Sequence, residues 1–394
     1  MIDKDYLKTK FKEVFSKEPN WYFFSPGRVN FIGEHIDYNG GKVFPFAIDK
    51  GIYAAVWLSD SSLIQLYSEI DKKVYKFSLE EDLSIYKNHP GWIKYPIGVI
   101  QAIKGQGYFF NGFSVYFASD LPIGSGLSSS AAIEVLMGYI VYSLVKADYQ
   151  IDRTQLAILC QQVENQYVGV KCGIMDQFTV AMGKQDHLIL LDTHSLEYEY
   201  IPFEFPDVEL VVVDSKKPRE LTSSKYNERR TECHISYEIL NKLYKIKNLV
   251  DADLSHLESL HSDTLIRRTR HVITENQRVK ETKELLINHS KQKRDPEKTL
   301  NKLGKLLVES HYSLKNDYEV SCRELDIIVE ESMKIDGVYG VRMTGAGFGG
   351  SAIALVKKDY FDEYRNKIMK VYKNLTNFNL EVFSVKISDG IKRL

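Results

Sequence analysis

The segment that most constrains how this chain can fold is 121–132, which reads LPIGSGLSSSAA. Pro122, Gly124 and Gly126 predict a loop whose backbone amides can turn inward, and three serines then open a helix at its donor-rich, positive end. The helix body at 131–145 is apolar on nearly every side, which predicts a buried helix. An ordinary serine N-cap accounts for one of these serines, but three of them behind two glycines favour a phosphate-binding loop.

A second glycine-rich segment, 25–41, reads SPGRVNFIGEHIDYNGG and crowds Glu34, His35 and Asp37 together. A carboxylate can accept hydrogen bonds from two adjacent hydroxyls, and an imidazole can donate or accept one. These are the groups needed to hold a sugar. A polar turn whose charges face water explains the same residues, and for this segment alone that alternative is favoured.

A third glycine-rich segment, 343–350, reads MTGAGFGG and contains a GxGxxG match. A dinucleotide site needs this pattern to open a helix, whereas here it leads into SAIALV, a predicted strand. The segment therefore predicts a loop that lets the backbone approach a ligand or another loop closely, with a flexible hairpin as the alternative. The GxxxxGK phosphate loop and the HRD and DFG signatures of protein kinases do not occur in the sequence.

Length and charge limit the remaining classes of protein. The 394 residues predict two domains, and 52 basic residues against 53 acidic ones leave a formal charge of -1. Neither nucleic acid nor an anionic membrane surface is therefore expected as a partner. The longest apolar run, 131–145, is shorter than the roughly 20 residues of a membrane span and carries Glu134.

The first residues and the cysteines predict a cytoplasmic protein. The opening MIDKDYLKTKFKEVF is charged throughout and lacks the apolar core of a signal peptide. Cys160, Cys172, Cys233 and Cys322 form no CxxC pair, and four thiols are few for so long a chain. Reduced thiols are therefore expected.

Both halves mix strand-like and helix-like runs, which predicts an α+β protein. Residues 21–24 lead into a glycine-rich turn, and strands are predicted at 43–48, 53–58, 63–67, 74–77, 112–117, 187–191, 208–213, 340–343, 351–356 and 380–387. Helices are predicted at 6–15, 129–146 and 153–167, and mostly helical sequence continues to about residue 334. With a boundary near 195–208, we expect domains at 1–200 and 201–394 with a cleft between them.

The three glycine-rich segments, in their order along the chain (25–41, 121–132 and 343–350), resemble those of the GHMP small-molecule kinases, and segment 25–41 is similar to the motif of the galactokinases within that superfamily. Four further stretches extend the resemblance over most of the chain: 168–177 (VGVKCGIMDQ), 219–233 (RELTSSKYNERRTEC), 267–279 (RRTRHVITENQRV) and 311–325 (HYSLKNDYEVSCREL). The departures are mild, since Ser25, Phe31 and Ile36 stand where that family often has Ala, Leu and Thr.

The resemblance implies a two-domain GHMP kinase fold. Its N-terminal domain is expected to be like the second domain of ribosomal protein S5, and its C-terminal domain to be ferredoxin-like. The implied activity is ATP-dependent phosphorylation of the C1 hydroxyl of α-D-galactose, which gives galactose 1-phosphate and ADP in galactose catabolism, the Leloir pathway. ATP is then the co-substrate and Mg²⁺ the cofactor.

The resemblance also implies which residues bind ATP and metal. For ATP these are the phosphate loop and two positions near the base: Ser68, Trp92, Gly124, Ser125, Gly126, Leu127, Ser128, Ser129 and Ser130. The implied Mg²⁺ ligands are Ser130 and Glu164, whose oxygens suit this ion. Trp92 is explained equally well as an ordinary core residue.

The resemblance further implies which residues bind the sugar and which are catalytic. The implied sugar-binding residues are Glu34, His35, Ile36, Asp37, Gly173 and Tyr226. The implied catalytic base is Asp176, with Arg28 as its cationic neighbour near the transferred phosphate. In the alternative interpretation Tyr226 is an amphipathic surface ring beside Arg229 and Arg230.

Glu164 carries an argument of its own. On the predicted helix 153–167, the apolar residues Leu156, Cys160, Val163 and Tyr167 define an inward face, and Glu164 lies at its edge near the negative end of the helix dipole. A carboxylate there is disfavoured by burial and by the dipole unless a cation compensates. We expect that cation to be magnesium, with a Lys or Arg side chain as the alternative.

Asp176 and Arg28 present a tension, because a guanidinium beside a carboxylate makes the carboxylate a weaker proton acceptor. A loose phosphoryl-transfer transition state needs the proton removed late, so orientation of the hydroxyl can matter more than basicity. The hypothesis is that Asp176 orients the sugar hydroxyl and takes its proton late, while Arg28 stabilises charge on the γ-phosphoryl group. A structural salt bridge is the alternative.

Two other functions fit the same sequence. One is a galactose sensor built on a kinase without activity, which the complete GLSSSAA motif and the presence of Asp176 disfavour. The other keeps the chemistry and changes the acceptor to N-acetylgalactosamine, arabinose or another sugar. A monomer or a weak homo-oligomer is expected.

Overall fold

The computed structural model describes residues 2–122, 124–145, 151–217, 222–292 and 295–394. The described helices are α1 (Lys4–Phe15), α2 (Lys94–Gly105), α3 (Ser129–Val145), α4 (Arg153–Val163), α5 (Met175–Met182), α6 (Thr222–Tyr244), α7 (Asp263–Gln292), α8 (Pro296–Ser313), α9 (Arg323–Ser332) and α10 (Phe361–Thr376). The described strands are β1 (Trp21–Asn30), β2 (Lys42–Val43), β3 (Pro45–Leu58), β4 (Leu63–Ser68), β5 (Lys73–Ser78), β6 (Phe113–Ser119), β7 (His187–Asp192), β8 (Tyr198–Pro202), β9 (Val208–Asp214), β10 (Val338–Thr344), β11 (Ser351–Lys357), β12 (Glu381–Val385) and β13 (Lys392–Arg393). Single π-helical turns at Glu164–Val168 and Leu314–Tyr318 follow α4 and α8.

A six-stranded sheet with the order β13-β1-β3-β6-β4-β5 forms the larger layer of the first half. The two strands predicted at 43–48 and 53–58 are one strand, β3. The turn predicted after residue 24 is also wrong, because β1 continues to Asn30 through a bulge between Pro26 and Arg28. A Cβ atom on Gly27 would lie 2.8 Å from the carbonyl oxygen of Leu127, so glycine lets the strand approach the phosphate loop.

The buried helix α3 packs on β1 and β3 of this sheet. Its residues from Ala131 to Gly138 are all buried, as the apolar sequence predicts. The helix begins at Ser129, and Lys146, where the sequence predicted its end, lies outside the described residues. Among the described helices, none combines the length and apolar character that crossing a bilayer requires.

Helix α4 is shorter than the predicted helix 153–167 because its last turn widens into a π-helical turn. There the amide of Gly169 donates to the carbonyl of Glu164, five residues earlier, at 2.9 Å. Leu156, Cys160 and Val163 are buried as predicted, whereas Tyr167 lies in the π-helical turn and is only partly buried. The wide turn places Glu164 at the end of α4, facing α5.

The second half contains a four-stranded antiparallel sheet with the order β10-β11-β9-β12. Along the chain, this half contains β9, the helices α6 to α9, the strands β10 and β11, the helix α10 and the strand β12. This is the β-α-β-β-α-β arrangement of a ferredoxin-like domain. Segment 343–350 joins β10 to β11 as a hairpin connection, so a dinucleotide-binding turn is excluded. Strand β13 returns to pair with β1. The division into 1–200 and 201–394 stays a prediction.

Candidate active site

A cavity of about 560 Å³ lies where the three glycine-rich segments meet. Of the predicted site residues, its lining includes Arg28, Glu34, His35, Asp37, Gly124, Gly126, Ser128, Ser129, Ser130, Glu164, Gly173, Asp176 and Tyr226. These residues come from a strand, from three loops and from helical segments in both halves of the chain, and the fold brings them to one shared space. The predicted phosphate loop and the acidic residues Glu34 and Asp37 therefore face the same cavity.

Arg28 and Asp176 form a two-pronged ion pair in this cavity. The Nε and Nη2 atoms of Arg28 donate to the two carboxylate oxygens of Asp176 at 2.7 and 2.8 Å. The Ser128 hydroxyl donates to the same carboxylate at 2.5 Å. Arg28 is only 5% exposed and is fixed on β1, while Asp176 lies in the first turn of α5. The pair joins the predicted phosphate loop to α5, which follows the cavity-lining segment 169–173.

The phosphate loop 124–130 is held from both halves of the chain. Arg28 donates from its backbone amide to the carbonyl of Leu127 at 3.1 Å and from Nη1 to the carbonyl of Gly126 at 2.8 Å. The Ser351 hydroxyl, at the start of β11, donates to the carbonyl of Ser125 at 2.7 Å. These carbonyls are therefore occupied, and the amides that open α3 remain as donors for an anion.

Glu134, Glu164 and Gln177 form a buried acidic cluster beside Ser130. The Gln177 Nε2 atom donates to Glu134 at 3.2 Å and to Glu164 at 2.5 Å. Burial and then the charge of Asp176 raise the pKa of Glu164 to about 7, although a hydrogen bond from Ser130 opposes the shift. Burial and the Glu164 charge likewise raise the pKa of Glu134 well above its usual range.

This acidic cluster fits a divalent cation. Within the described part of the chain, no Lys or Arg side chain forms an ion pair with Glu134 or Glu164, so the predicted alternative partner is not found there. The Oε1 atom of Glu134 is buried and lacks a hydrogen-bond partner among the described residues. Hard oxygen donors that lack a cationic partner in the described protein are the set that suits Mg²⁺.

The second half of the chain holds residues 31–41 in place. These residues follow β1, carry Glu34, His35 and Asp37, and are called the sugar-type loop below. Glu34 Oε1 accepts from the amide of Gly345 at 2.7 Å and from the Thr344 hydroxyl at 3.1 Å, and it lies 3.1 Å from Arg342 Nη2. On α7, Glu275 accepts from the amide of Gly33 at 2.9 Å. The third glycine-rich segment thus contacts Glu34, a predicted sugar-binding residue, through the backbone of Gly345.

His35 and Asp37 face the cavity in unusual electrostatic environments. His35 has a positive φ of 61°, and burial lowers the pKa of its ring to about 3, so the ring is neutral. Burial, Asp176 and Glu34 raise the pKa of Asp37 to about 7. Gly173 packs directly on Asp37, since a Cβ atom at residue 173 would lie 1.7 Å from Asp37 Oδ2.

Five predicted residues are not part of this cavity's described lining: Ile36, Ser68, Trp92, Ser125 and Leu127. Ile36 and Leu127 point into the core, and the Ser125 hydroxyl donates to the carbonyl of Pro122 at 2.8 Å. Ser68 accepts from the amide of Ile70, and Trp92 Nε1 donates to Asp71 at 2.8 Å. Their roles stay predictions. Residues 219–221 of the motif 219–233 lie outside the described residues.

Sequence reasoning missed several residues that shape this site. Glu134 entered only as an argument against a membrane span, and Gln177 stood within a motif without a role. Glu275 and Thr344 act from more than 200 residues away along the chain. The available signal was position in the sequence, since Gln177 directly follows Asp176 and Thr344 is the second residue of the third glycine-rich segment.

Family signatures match three parts of the chain. The galactokinase galactose-binding signature matches residues 9–57, the GHMP kinases N terminal domain matches 94–184, and the GHMP kinases C terminal domain matches 293–374. The structure of a mevalonate kinase from Methanococcus jannaschii shares the fold, with a TM-score of 0.67 at 20% identity over 93% of this chain and 98% of that one. Fold and signatures together define a two-domain GHMP kinase.

Full-length relatives narrow the assignment. A galactokinase of Staphylococcus carnosus is 42% identical over 98% of both chains, and one of Limosilactobacillus reuteri is 38% identical over 100% of both. The crystal structure of Lactococcus lactis galactokinase complexed with galactose has a TM-score of 0.91 at 38% identity, covering 99% of each chain. The chain belongs to the galactokinase family.

Proposed function

We propose that this protein transfers the γ-phosphoryl group of ATP to the C1 hydroxyl of α-D-galactose. The observation that carries the proposal is the Arg28–Asp176 pair, which lies between the phosphate loop and the carboxylate-rich sugar-type loop. Phosphoryl transfer depends mainly on positioning and charge stabilisation. The Arg28–Asp176 pair, held between the two loops, can provide both the positioning and the charge stabilisation.

Each side of the cavity then has a distinct role. The phosphate loop 124–130 cradles the triphosphate with backbone amides and serine hydroxyls. Glu34, His35, Asp37, Gly173 and Tyr226 bind the sugar hydroxyls. Asp176 orients the C1 hydroxyl and accepts its proton late, and Arg28 stabilises charge that develops on the transferred phosphoryl group. The bidentate contact with Arg28 supports orientation as the main contribution of Asp176.

Ser130 and Glu164 would hold Mg²⁺, with the buried carboxyl group of Glu134 close behind them. When bound, the ion neutralises negative charge on the phosphate oxygens. The acidic cluster itself, held by Gln177, keeps Glu164 directed at Ser130 and the phosphate loop. We also propose a cytoplasmic monomer or weak homo-oligomer, a location supported by four free cysteines.

A sugar panel tests the proposed function most directly. Purified protein with Mg·ATP is offered galactose, N-acetylgalactosamine, arabinose and glucose, and kcat/KM and the phosphorylated position are determined for each. We expect galactose to have the highest kcat/KM and to be phosphorylated at C1. A higher kcat/KM for another sugar would replace the acceptor, and galactose binding without ADP release would establish the sensor alternative.

The substitution Asp176→Asn tests the catalytic pair. Because an amide cannot accept the proton, we expect kcat to fall by roughly 10²-fold or more while KM for galactose changes only a few-fold. Asp152→Asn, at the exposed N-cap of α4, is a matched control that should leave both constants unchanged. Near-normal kcat in Asp176→Asn would show that this residue is not the base.

A further inference from the structure

His271 on α7 belongs to the motif 267–279, to which the sequence assigned no role. Its side chain is fully buried, and both of its ring nitrogens have partners. The Nε2 atom lies 3.0 Å from the backbone carbonyl oxygen of Glu34, and the Nδ1 atom lies 2.9 Å from the Ser313 hydroxyl at the end of α8. His271 therefore connects α7 directly to the backbone of the sugar-type loop.

The partners of His271 determine which of its nitrogens carries the proton. A carbonyl oxygen can only accept, so Nε2 is protonated and donates to Glu34. Burial lowers the pKa of the ring to about 4, although the charge of Glu275 opposes the shift, so the ring is neutral and Nδ1 accepts from the Ser313 hydroxyl. The same hydroxyl has a longer contact of 3.4 Å with Asp317 Oδ2.

His271 and Glu275 lie one helical turn apart and hold both sides of residue 34. Glu275 Oε1 accepts from the amide of Glu34 at 3.3 Å, whereas His271 donates to the carbonyl of the same residue. That carbonyl and the amide of His35 belong to one planar peptide group. His271 therefore fixes the orientation of the peptide group that leads into His35.

The backbone of His35 needs such support. Its φ of 61° lies in the left-handed region, which costs free energy for residues other than glycine. Rotation of the preceding peptide group would return the residue to a negative φ. The following peptide group is held separately, since Asn39 Nδ2 donates to the carbonyl of His35 at 2.9 Å.

With this backbone conformation, the ring of His35 lines the cavity. Its Nδ1 atom lies 2.8 Å from the Tyr38 hydroxyl, which lies 2.8 Å from the Tyr318 hydroxyl. A backbone hydrogen bond with Ala346 in part offsets the lowering of its pKa by burial. The contacts of the ring thus depend on the direction in which the backbone presents it.

We propose that His271 is a positioning residue that holds the Glu34–His35 peptide group, keeps His35 left-handed and so presents its ring to the sugar. The inference rests on the proposed function in one respect, which is that the ligand is a sugar. Without the His271 donor, only the fraction of molecules with a left-handed His35 binds the ligand, so the apparent affinity falls by that fraction. Saturating sugar restores the competent form, which leaves kcat unchanged.

Two substitutions of His271 test this role. His271→Leu removes the donor at similar bulk, whereas the amide of His271→Gln supplies both a donor and an acceptor. We expect KM for galactose to rise about tenfold in His271→Leu, with kcat and KM for ATP little changed, and to stay within about twofold in His271→Gln. An unchanged KM in His271→Leu, or an equal rise in both variants, would overturn the proposal.

His289→Leu is the matched control. His289 is buried on the same helix, and its Nε2 atom lies 3.4 Å from the backbone carbonyl of Glu204, away from the cavity. A loss of stability alone lowers the amount of active enzyme without changing KM, so we expect the same KM as in the parent. A rise in KM as large as that of His271→Leu would refute a specific role for His271.

Two further measurements need no sugar. Nitrogen-15 NMR of the parent, with His271→Gln to identify the signals, should find Nε2 of His271 protonated and Nδ1 unprotonated; the reverse would overturn the proposal even if His271→Leu does not fold. A crystal structure of His271→Leu should show His35 outside the left-handed region, and a φ still near 61° would contradict the proposal. The expected results in a protein that does not phosphorylate galactose would refute the proposed function and leave the positioning role intact.

Discussion

Asp37 is a cavity residue whose surroundings disfavour its ionised form. Its carboxyl group is buried near Asp176 and Glu34, which raises its pKa to about 7, and no described side chain forms an ion pair with it. Gly173 leaves just enough room for it. A backbone hydrogen bond at Tyr38 opposes this shift, and sugar hydroxyls that donate to the carboxylate would add further hydrogen bonds to its ionised form.

Galactose affinity should therefore increase with pH. Donated hydrogen bonds favour the ionised carboxylate, so binding is weak while Asp37 is protonated and strengthens as the pH rises through about 7. Isothermal titration calorimetry between pH 5.5 and 8.5 measures the dissociation constant. We expect Asp37→Asn to bind weakly at every pH. A parent protein with the same affinity across this range would contradict the prediction.

The same shift predicts a change in the free energy of unfolding. Because the folded pKa of about 7 lies above the ordinary value of 3.8, Asp37 makes the fold less stable as pH rises between these values. Urea unfolding at pH 8 should therefore find Asp37→Asn more stable than the parent. At pH 4 the two proteins should differ little.

At the scale of elements, α8 and β10 pack so closely that a side chain at their contact would collide with backbone atoms. A Cβ atom on Gly304 would lie 2.0 Å from the carbonyl oxygen of Tyr339, so the helix and the strand touch through their backbones. Two glycines, Gly304 and Gly340, make this approach possible. The approach sets the position of β10, which leads into the third glycine-rich segment.

Gly304→Ala should lower the free energy of unfolding by about 1–3 kcal/mol, because overpacking outweighs the gain in helix propensity. Gly105→Ala is the matched control: a Cβ atom on this helical glycine would meet nothing within 4 Å, and stability should stay the same or rise slightly. Chemical denaturation of both variants measures the difference. Equal stabilities would show that α8 can move away without cost.

The elements that sequence predicts well are those whose signals are local. Helix α3 begins at Ser129 as predicted, because both its serine start and its apolar body lie within the helix. The turn after residue 24 was wrong because the pairing of β1 with β3 and its contact with Leu127 involve distant residues. The π-helical end of α4 carries no pattern that distinguishes it from an ordinary helical turn.

Apart from Glu164, which was also argued from its position on a predicted helix, the sequence predicted site residues only where they belong to a recognised motif. Arg28 and Asp176 were placed together through a resemblance, and they form a direct ion pair. Gln177 and Tyr318 were missed because their contacts with Glu164 and Tyr38 follow from packing rather than spacing. Hydrogen bonds between buried polar groups depend on which surfaces meet, and a linear pattern contains little of that information.

At the scale of the whole molecule, α7 holds the sugar-type loop. Glu275 is fully buried and accepts from the Ser310 hydroxyl at 2.7 Å as well as from the amide of Gly33. Arg278 forms an ion pair with it at 2.7 Å. The positive charge of Arg278, together with His271, lowers the pKa of Glu275 to about 2 despite burial, so this carboxylate is ionised wherever the protein works.

Glu275→Gln should weaken both stability and sugar binding. The folded pKa of about 2 lies below the ordinary value of 4.5, so the ionised group contributes about 3 kcal/mol above pH 5, lost as pH falls from 4.5 toward 2. The difference in unfolding free energy between parent and variant should shrink over that range. Glu281→Gln, exposed on the same helix, is the control and should show no difference. A difference independent of pH would refute the electrostatic explanation.

The bonds that complete the cavity join residues far apart in the chain, such as Arg28 with Asp176, Gly33 with Glu275 and Glu34 with Gly345. Each of these contacts closes a loop of more than a hundred residues, which delays its formation during folding. A refolding chain should thus regain its helical circular dichroism well before it regains phosphoryl transfer. Partly folded intermediates would carry most of the architecture and none of the chemistry.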